Sequence, residues 1–514
     1  MVPKIRRKTD LTRVVEPPEG GKAPPVNEQT VQLRLPFDTA EVPAAQAAGA
    51  DAGAVRHRRR SAPRAVPKSK GHEKRAPSVT LESVVDHLSP AFTNVAGNGG
   101  APGPDGQTIE MVTSHLDSIL DQLRSSLLDG TYRPGDIRRV WIPKSGGGQR
   151  GLGIPDVVDR VVSEAVRLVL EPLYEPTFHV QSHGFRPERS CHTAIAQARE
   201  HLEDGCEWVV DIDLEKFFDR VHHQRLMARL AQRVHDVRLL VLIGRMLKAK
   251  VVMPDGVKVS TEEGVPQGGP LSPLLSNIVL DELDDELVRR GHRFVRYADD
   301  CNIYVTSERA GQRVMASVTR FIERRLRLKV NAAKSAVARP EERHFLGFRL
   351  RRDPLEGDVD VLLSKRSQER LDGKVRELTP RTWGNSITEC IRKVNVYVVG
   401  WLGFFGVCTQ ATSNLGHADA HLRRRLRAIQ LKHWKRRRTM VHKLVALGVK
   451  RSAARRGIYG GHRSLWSLSH VPVVERALSP SYWARRGLLS LEHEWRSHTQ
   501  ARAASGVQLT LPWR

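Results

Sequence analysis

The sequence predicts an α+β fold in which a mixed span of short strands and long helices is followed by a tail that is almost wholly helical. Three observations carry this expectation. Between about Val79 and Ser364, β-prone runs alternate with long apolar-striped segments. After about Ser364 the β-prone runs become rare and basic helical segments dominate. Before about Arg75 neither pattern occurs: Met1–Arg75 is rich in Pro, Ala, Gly and charge, and the run Arg56–Arg75 (RHRRRSAPRAVPKSKGHEKR) has no core face. Residues 1–75 are therefore expected to be a disordered basic arm, serving either as a solvated linker or as a phosphate-tracking segment.

The elements follow in order. Asp156–Glu171 reads as a helix with two apolar stripes, Val157, Val161, Ala165, Leu168 and Val158, Val162, Val166, Val169, both expected to be buried, and with Pro172 ending it. Trp208–Ile212 is a short strand, and a helix begins near Gln224. Pro270–Arg290 is a helix entered through a Gly-Gly-Pro turn. Phe294–Tyr297 and Ile303–Thr306 are strands, with the YADDCN run as a tight hairpin between them. Arg309–Leu328 is an amphipathic helix, and His421–Arg438 carries nine Lys/Arg and no acid. No internal repeat is apparent.

The bulk numbers narrow the function. A chain of 514 residues accommodates two or three domains. Lys plus Arg is 83 against 57 for Asp plus Glu, a formal net charge of +26. Such an excess calls for a polyanionic partner, and nucleic acid is the first candidate because each neutralised phosphate releases condensed counterions. An anionic membrane surface has no other support. The longest apolar run, Val394–Cys408, is interrupted by Asn395 and is shorter than the roughly 20 residues of a membrane span. The start, MVPKIRRKTD, leads into no apolar segment of a signal peptide. The five cysteines, Cys191, Cys206, Cys301, Cys390 and Cys408, are odd in number and lack a C-x-x-C pair, which argues against a disulfide framework or structural zinc and for a reducing cytoplasm.

The chemistry concentrates on carboxylates. Two adjacent acids at Asp299-Asp300 repel each other, and a divalent cation would reverse that balance, although Asp also favours exposed turns. In Val209-Val210-Asp211-Ile212-Asp213-Leu214 the acids alternate, so Asp211 and Asp213 share one face of a strand. A strand ending in Asp213 beside the hairpin of Asp299 and Asp300 would gather three hard oxygen ligands suited to Mg²⁺, and two such ions about 3.5–4 Å apart form the clamp of nucleotidyl transfer.

With these residues in view, the chain resembles the group II intron-encoded reverse transcriptase/maturases from about Gly99 onward. Gly103-Pro104-Asp105-Gly106 resembles the N-terminal G-x-D-G element. Ile142-Pro143-Lys144 and Arg150-Gly151-Leu152-Gly153-Ile154-Pro155 resemble the fingers hairpin. Gly184-Phe185-Arg186-Pro187, then Arg189-Ser190, resembles the G-F-R-P-x-R-S element. Asp213 through Phe217-Phe218-Asp219 is similar to motif A, Pro266-Gln267-Gly268-Gly269 with Leu271-Ser272-Pro273 to motif B, Tyr297–Asp300 to motif C and Asn331–Lys334 to motif D. Phe345-Leu346-Gly347-Phe348 resembles the primer grip, and Gly400-Trp401 with Phe404-Phe405 and the basic helix resembles the maturase domain.

The resemblance implies a right-hand polymerase: fingers and palm over 76–360, a helical thumb/maturase domain over 361–447 and a basic nucleic-acid-binding region over 448–514. It implies an RNA-directed DNA polymerase with Asp213, Asp299 and Asp300 as catalytic metal ligands for two Mg²⁺ ions, Mn²⁺ being a substitute. Lys144, Arg150, Phe218, Gln267 and Lys334 would bind the nucleotide, with Phe218 excluding a 2′-hydroxyl. Arg186, Trp401, Arg424, Lys432 and Arg436 would contact nucleic acid. The expected partners are group II intron RNA, an RNA template with DNA primer, dNTPs and target DNA. Two departures stand out. Gly151 replaces the family's usual Pro, which is expected to loosen the fingers hairpin, and Cys301-Asn302 replaces apolar residues. The His-Asn-His endonuclease of some relatives is missing, so second-strand cleavage is not expected. Two other readings stay open: the same polymerase recruited to a host task such as phage defence or spacer acquisition, and a non-catalytic RNA-binding splicing factor.

Overall fold

A computed structural model describes residues 79–143, 148–260, 262–353, 357–461 and 464–504. The expected N-terminal arm and the Lys144–Gly147 turn lie outside the described residues. Among the described residues there are ten strands: β1 (Ile137–Pro143), β2 (Gln149–Ile154), β3 (Trp208–Ile212), β4 (Val251–Val252), β5 (Lys258–Val259), β6 (Arg293–Tyr297), β7 (Asp300–Val305), β8 (Ala336–Ala338), β9 (Phe348–Arg352) and β10 (Val359–Leu363). They form sheets ordered β2-β1-β4-β5 and β6-β7-β3-β8, plus the β9–β10 hairpin.

The β6-β7-β3-β8 sheet positions the site. Its period-two alternation separates two apolar faces. Val210, Ile212, Phe294, Cys301 and Ile303 face a core built with the helices Val157–Tyr174, Ser272–Arg289 and Glu308–Phe321. Val209, Val295 and Tyr304 face the opposite core, shared with the Cys191–Glu203 helix and with β9 and β10. That second core continues through the described C-terminal helices to Trp495. Trp483, fully buried, lies in it.

The expected elements near the sheet are present, with four corrections. Pro172 does not end its helix, which runs Val157–Tyr174. A proline this close to the end forfeits one backbone bond, and burial of Leu170 and Tyr174 holds the last turn in place. Val158 and Leu168 on the two stripes are only half-buried. The amphipathic helix is Glu308–Phe321, closed by a π-helical turn at Ile322–Leu326 and by Arg327 at φ +58°. The hairpin is tighter than the YADDCN run suggests: β6 and β7 are joined by Ala298-Asp299 alone, and Asp300, Cys301 and Asn302 already belong to β7.

Candidate active site

Register brings the acids together. Ile212 on β3 pairs with Cys301 on β7, so Asp213, one residue beyond β3, is carried up beside Asp300. Asp299 occupies the turn next to it. The turn is unusual, because Ala298 adopts φ +55°, a left-handed conformation that costs a residue with a Cβ. Gly184 of the G-F-R-P element lies directly against it: a Cβ at Gly184 would come 2.2 Å from the Ala298 nitrogen, so only glycine fits.

Asp213 is held through its backbone. Its carbonyl accepts from the Asn331 N–H at 2.8 Å, and its N–H donates to Ser335 Oγ at 3.0 Å. Its Oδ2 faces Lys334 Nζ at 3.4 Å. Asp211 is turned to Arg343, whose Nε and Nη2 donate to Oδ2 at 2.9 and 2.6 Å, while Nη2 also reaches the Lys334 carbonyl at 2.6 Å. Asp211 is thereby engaged as a structural partner. Ser335 and Arg343 carry no motif pattern in the sequence.

Desolvation and mutual repulsion shape the acids. Asp300 is open to solvent on one side and closely ringed by protein on the others. That desolvation, then the charges of Asp299, Asp211 and Asp213, push it up to about 7. Asp299 is also raised, first by burial and then by Asp213, while Arg150 and Lys334 pull it down. Burial raises Asp211 despite Arg343. Carboxylates crowded in this way suit a divalent cation, and all the donors are hard oxygens. Among the described residues no three acidic, His or Cys side chains already converge as a cage, so further ligands would come from water and phosphate oxygens.

Of the expected nucleotide-binding residues, Arg150 and Lys334 lie near the acids. Arg150, exposed on β2 opposite Ile142, is felt electrostatically by Asp299. The hairpin is not loosened at Gly151, because the β1–β2 ladder runs unbroken from Arg138↔Ile154 to Pro143↔Gln149. The space that a side chain at Gly151 would need is filled by Arg139 and Trp141, and Arg139 Nη1 donates to the Gly151 carbonyl at 3.0 Å. Motif B is sewn to this strand, since the Gly153 N–H donates to the Gln267 carbonyl at 2.7 Å. Phe218 is half-buried, and its carbonyl accepts from the Val265 N–H at 2.6 Å; Phe217 is core. Lys144 lies outside the described residues.

The expected nucleic-acid contacts fare less well. Arg186 is buried, and its guanidinium is engaged by Glu175 at 2.7 Å and by the His179 and Ser182 carbonyls, so it serves the fold. Trp401 is core and stacks on Phe405 with centroids 4.7 Å apart, leaving no face for a base. Arg424 lies 4.1 Å above the Trp466 ring. Lys432 is half-buried and Arg436 is exposed.

Comparison with known proteins fits this geometry. A family described as reverse transcriptase (RNA-dependent DNA polymerase) matches residues 142–350, and the group II intron, maturase-specific domain matches 368–445. Protein YkfC of Escherichia coli (strain K12) is 36% identical over 322 residues, covering 55% of this chain and 84% of that protein. The group II intron-encoded protein LtrA of Lactococcus lactis subsp. cremoris is 38% identical over 207 residues, covering 40% of this chain and 34% of LtrA. A putative COX1/OXI3 intron 2 protein of Saccharomyces cerevisiae (strain ATCC 204508 / S288c) is 28% identical over 298 residues, covering 46% of this chain and 35% of that protein. The chain thus spans most of one curated relative and about a third of the other two. A mixed helix-and-sheet fold with this site defines an RNA-directed DNA polymerase domain. The chain belongs to the group II intron reverse transcriptase/maturase family.

Proposed function

We propose that this chain extends a DNA primer on an RNA template through a two-Mg²⁺ site on Asp213, Asp299 and Asp300, and that it binds group II intron RNA to assist splicing and mobility at a DNA target. The observation that carries the reading is the register that carries Asp213 up beside Asp300 and next to the Asp299 turn, where crowding holds Asp299 and Asp300 above their ordinary range. Bound divalent ions, with Mn²⁺ able to replace Mg²⁺, would activate the primer 3′-hydroxyl and stabilise the leaving pyrophosphate.

The chain's own residues supply the rest. Arg150 and Lys144 neutralise the triphosphate from the fingers hairpin. Gln267 contacts the nucleotide from the motif B loop. The Phe218 ring lies under the sugar and excludes a 2′-hydroxyl. Lys334 donates a proton toward the pyrophosphate. Residues 76–360 act as fingers and palm and 361–447 as thumb and maturase domain; the 448–514 region adds nucleic-acid contacts from exposed cations.

Primer extension on an RNA template with dNTPs and Mg²⁺ tests this. Wild type extends, Asp299→Ala does not, and Phe218→Ala incorporates ribonucleotides. Extension that survives Asp299→Ala refutes the site, and failure of wild type refutes the activity.

A further inference from the structure

The catalytic turn rests on a buried ion that no motif describes. Arg296 sits on β6, two residues before Ala298, and is 1% exposed. Its Nε donates to Asp284 Oδ1 at 2.7 Å and its Nη2 to Asp284 Oδ2 at 2.5 Å. Nη2 also reaches Ser182 Oγ at 2.7 Å. Nη1 reaches Asn277 Oδ1 at 3.0 Å and the Ala298 carbonyl at 3.0 Å. Asp284, Asn277 and Ser182 are each fully buried. The backbone of Arg296 is tied as well: its N–H donates to the Gln181 carbonyl at 2.9 Å and its carbonyl accepts from His183 at 2.8 Å. Asn277 Nδ2 donates to the Gly184 carbonyl at 2.8 Å, closing the ring.

We propose that Arg296 is a positioning residue for the polymerase reaction: it fixes the left-handed Ala298 turn against the Gly184 segment and so sets where Asp299 presents its carboxylate. This inference rests on the polymerase reading above. A burial this deep, of a charge with five side-chain bonds, is expensive, and in general a buried ion pair is often no more stabilising than a hydrophobic pair of similar volume. Stability alone therefore gives no reason for an ion pair here. What an apolar pair cannot supply is a donor for the Ala298 carbonyl. Lysine cannot supply the geometry either, because a single ammonium cannot span both Asp284 oxygens, Asn277 and Ala298 at once.

The decisive variant is the full-length double substitution Arg296→Met with Asp284→Leu, which removes the charges together and leaves no unpaired ion. It is compared with wild type and Asp299→Ala in primer extension at varied dNTP and Mg²⁺. Because the variant leaves Asn277 Oδ1, Ser182 Oγ and the Ala298 carbonyl buried without the Arg296 donor, its thermal transition should fall while it still folds, and primer–template affinity and KM for dNTP should stay at the wild-type level. Its kcat should fall about 100-fold, the scale of a misplacement near 1 Å, and the Mg²⁺ concentration giving half-maximal rate should rise. A folded double variant with wild-type kcat and Mg²⁺ requirement overturns the role. If the double variant does not fold, Ser182→Ala decides: losing one charge-assisted bond should lower kcat roughly tenfold with KM unmoved, and an unchanged kcat overturns the proposal. Wild-type extension abolished by Asp299→Ala keeps the polymerase reading intact whichever way Arg296 falls. A wild type that does not extend removes both.

Discussion

Gly268→Ala offers a test of how motif B is built. Gly268 has φ +120°, where a residue with a Cβ stores about 1–3 kcal/mol. The added Cβ would lie 2.7 Å from the Gly153 carbonyl oxygen, a backbone atom of β2 that no rotamer change can move. Relief requires the loop to part from the strand, breaking the 2.7 Å bond from the Gly153 N–H to the Gln267 carbonyl, at a further cost of about 1 kcal/mol. The sum is about 2–4 kcal/mol. It falls on the link that sets Gln267 against the fingers hairpin. At 1.36 kcal/mol per decade this corresponds to a fall in kcat/KM for dNTP of about 30- to 900-fold. Single-nucleotide incorporation over a range of dNTP concentrations measures it, with thermal unfolding alongside. Gly244→Ala is the control: it lies in the Val237–Leu247 helix, a Cβ there meets nothing, and it should stabilise by up to about 1 kcal/mol. Incorporation by Gly268→Ala within about threefold of wild type would refute the argument that close backbone approach is what the glycine provides.

Two further outcomes follow from the site and the surface. Asp300, raised to about 7, holds its proton more tightly in the folded chain than in the unfolded one. Without divalent ions, folded-state stability should therefore decline as pH rises from about 4 through about 7. Because proton and metal compete, the Mg²⁺ concentration for half-maximal extension should rise as pH falls below about 7; a requirement flat from pH 6 to 8 would contradict the assignment. For RNA, replacing exposed Lys435, Arg436 and Arg438 with Gln should cut the slope of log affinity against log salt by about 2. Arg425→Gln should leave that slope alone and lower stability by about 1–3 kcal/mol, because Arg425 is engaged by Thr379 Oγ1 and by the Thr379 and Arg376 carbonyls. Equal salt slopes for the two variants would show that the distinction between them is false.

The acids were legible because their logic is local. Period two puts Asp211 and Asp213 on one face, and adjacent like charges in a turn need a reason to exist. The register that joins them to Asp299 and Asp300, and the Arg296 and Arg343 contacts around them, depend on partners far along the chain: Arg296 meets Ser182 and Arg343 meets Asp211. The least legible feature was the allegiance of the arginines. Read as charge, His421–Arg438 is a nucleic-acid face. In the fold, Arg425 donates to the carbonyls ending the Lys365–Leu378 helix, and Arg427 donates to the Ser469 carbonyl after the Leu465–Leu468 helix and to Glu475. Arg245 does the same for Gly130, just beyond the Leu116–Leu128 helix. A helix C-terminus leaves carbonyls unpaired and carries partial negative charge, so a multi-donor cation satisfies it better than a neutral side chain can. A chain rich in helices consumes arginines in this way, and the ones consumed are invisible to a count of net charge. The formal +26 therefore overstates the charge offered to RNA, and the measured salt slope should track the exposed cations alone.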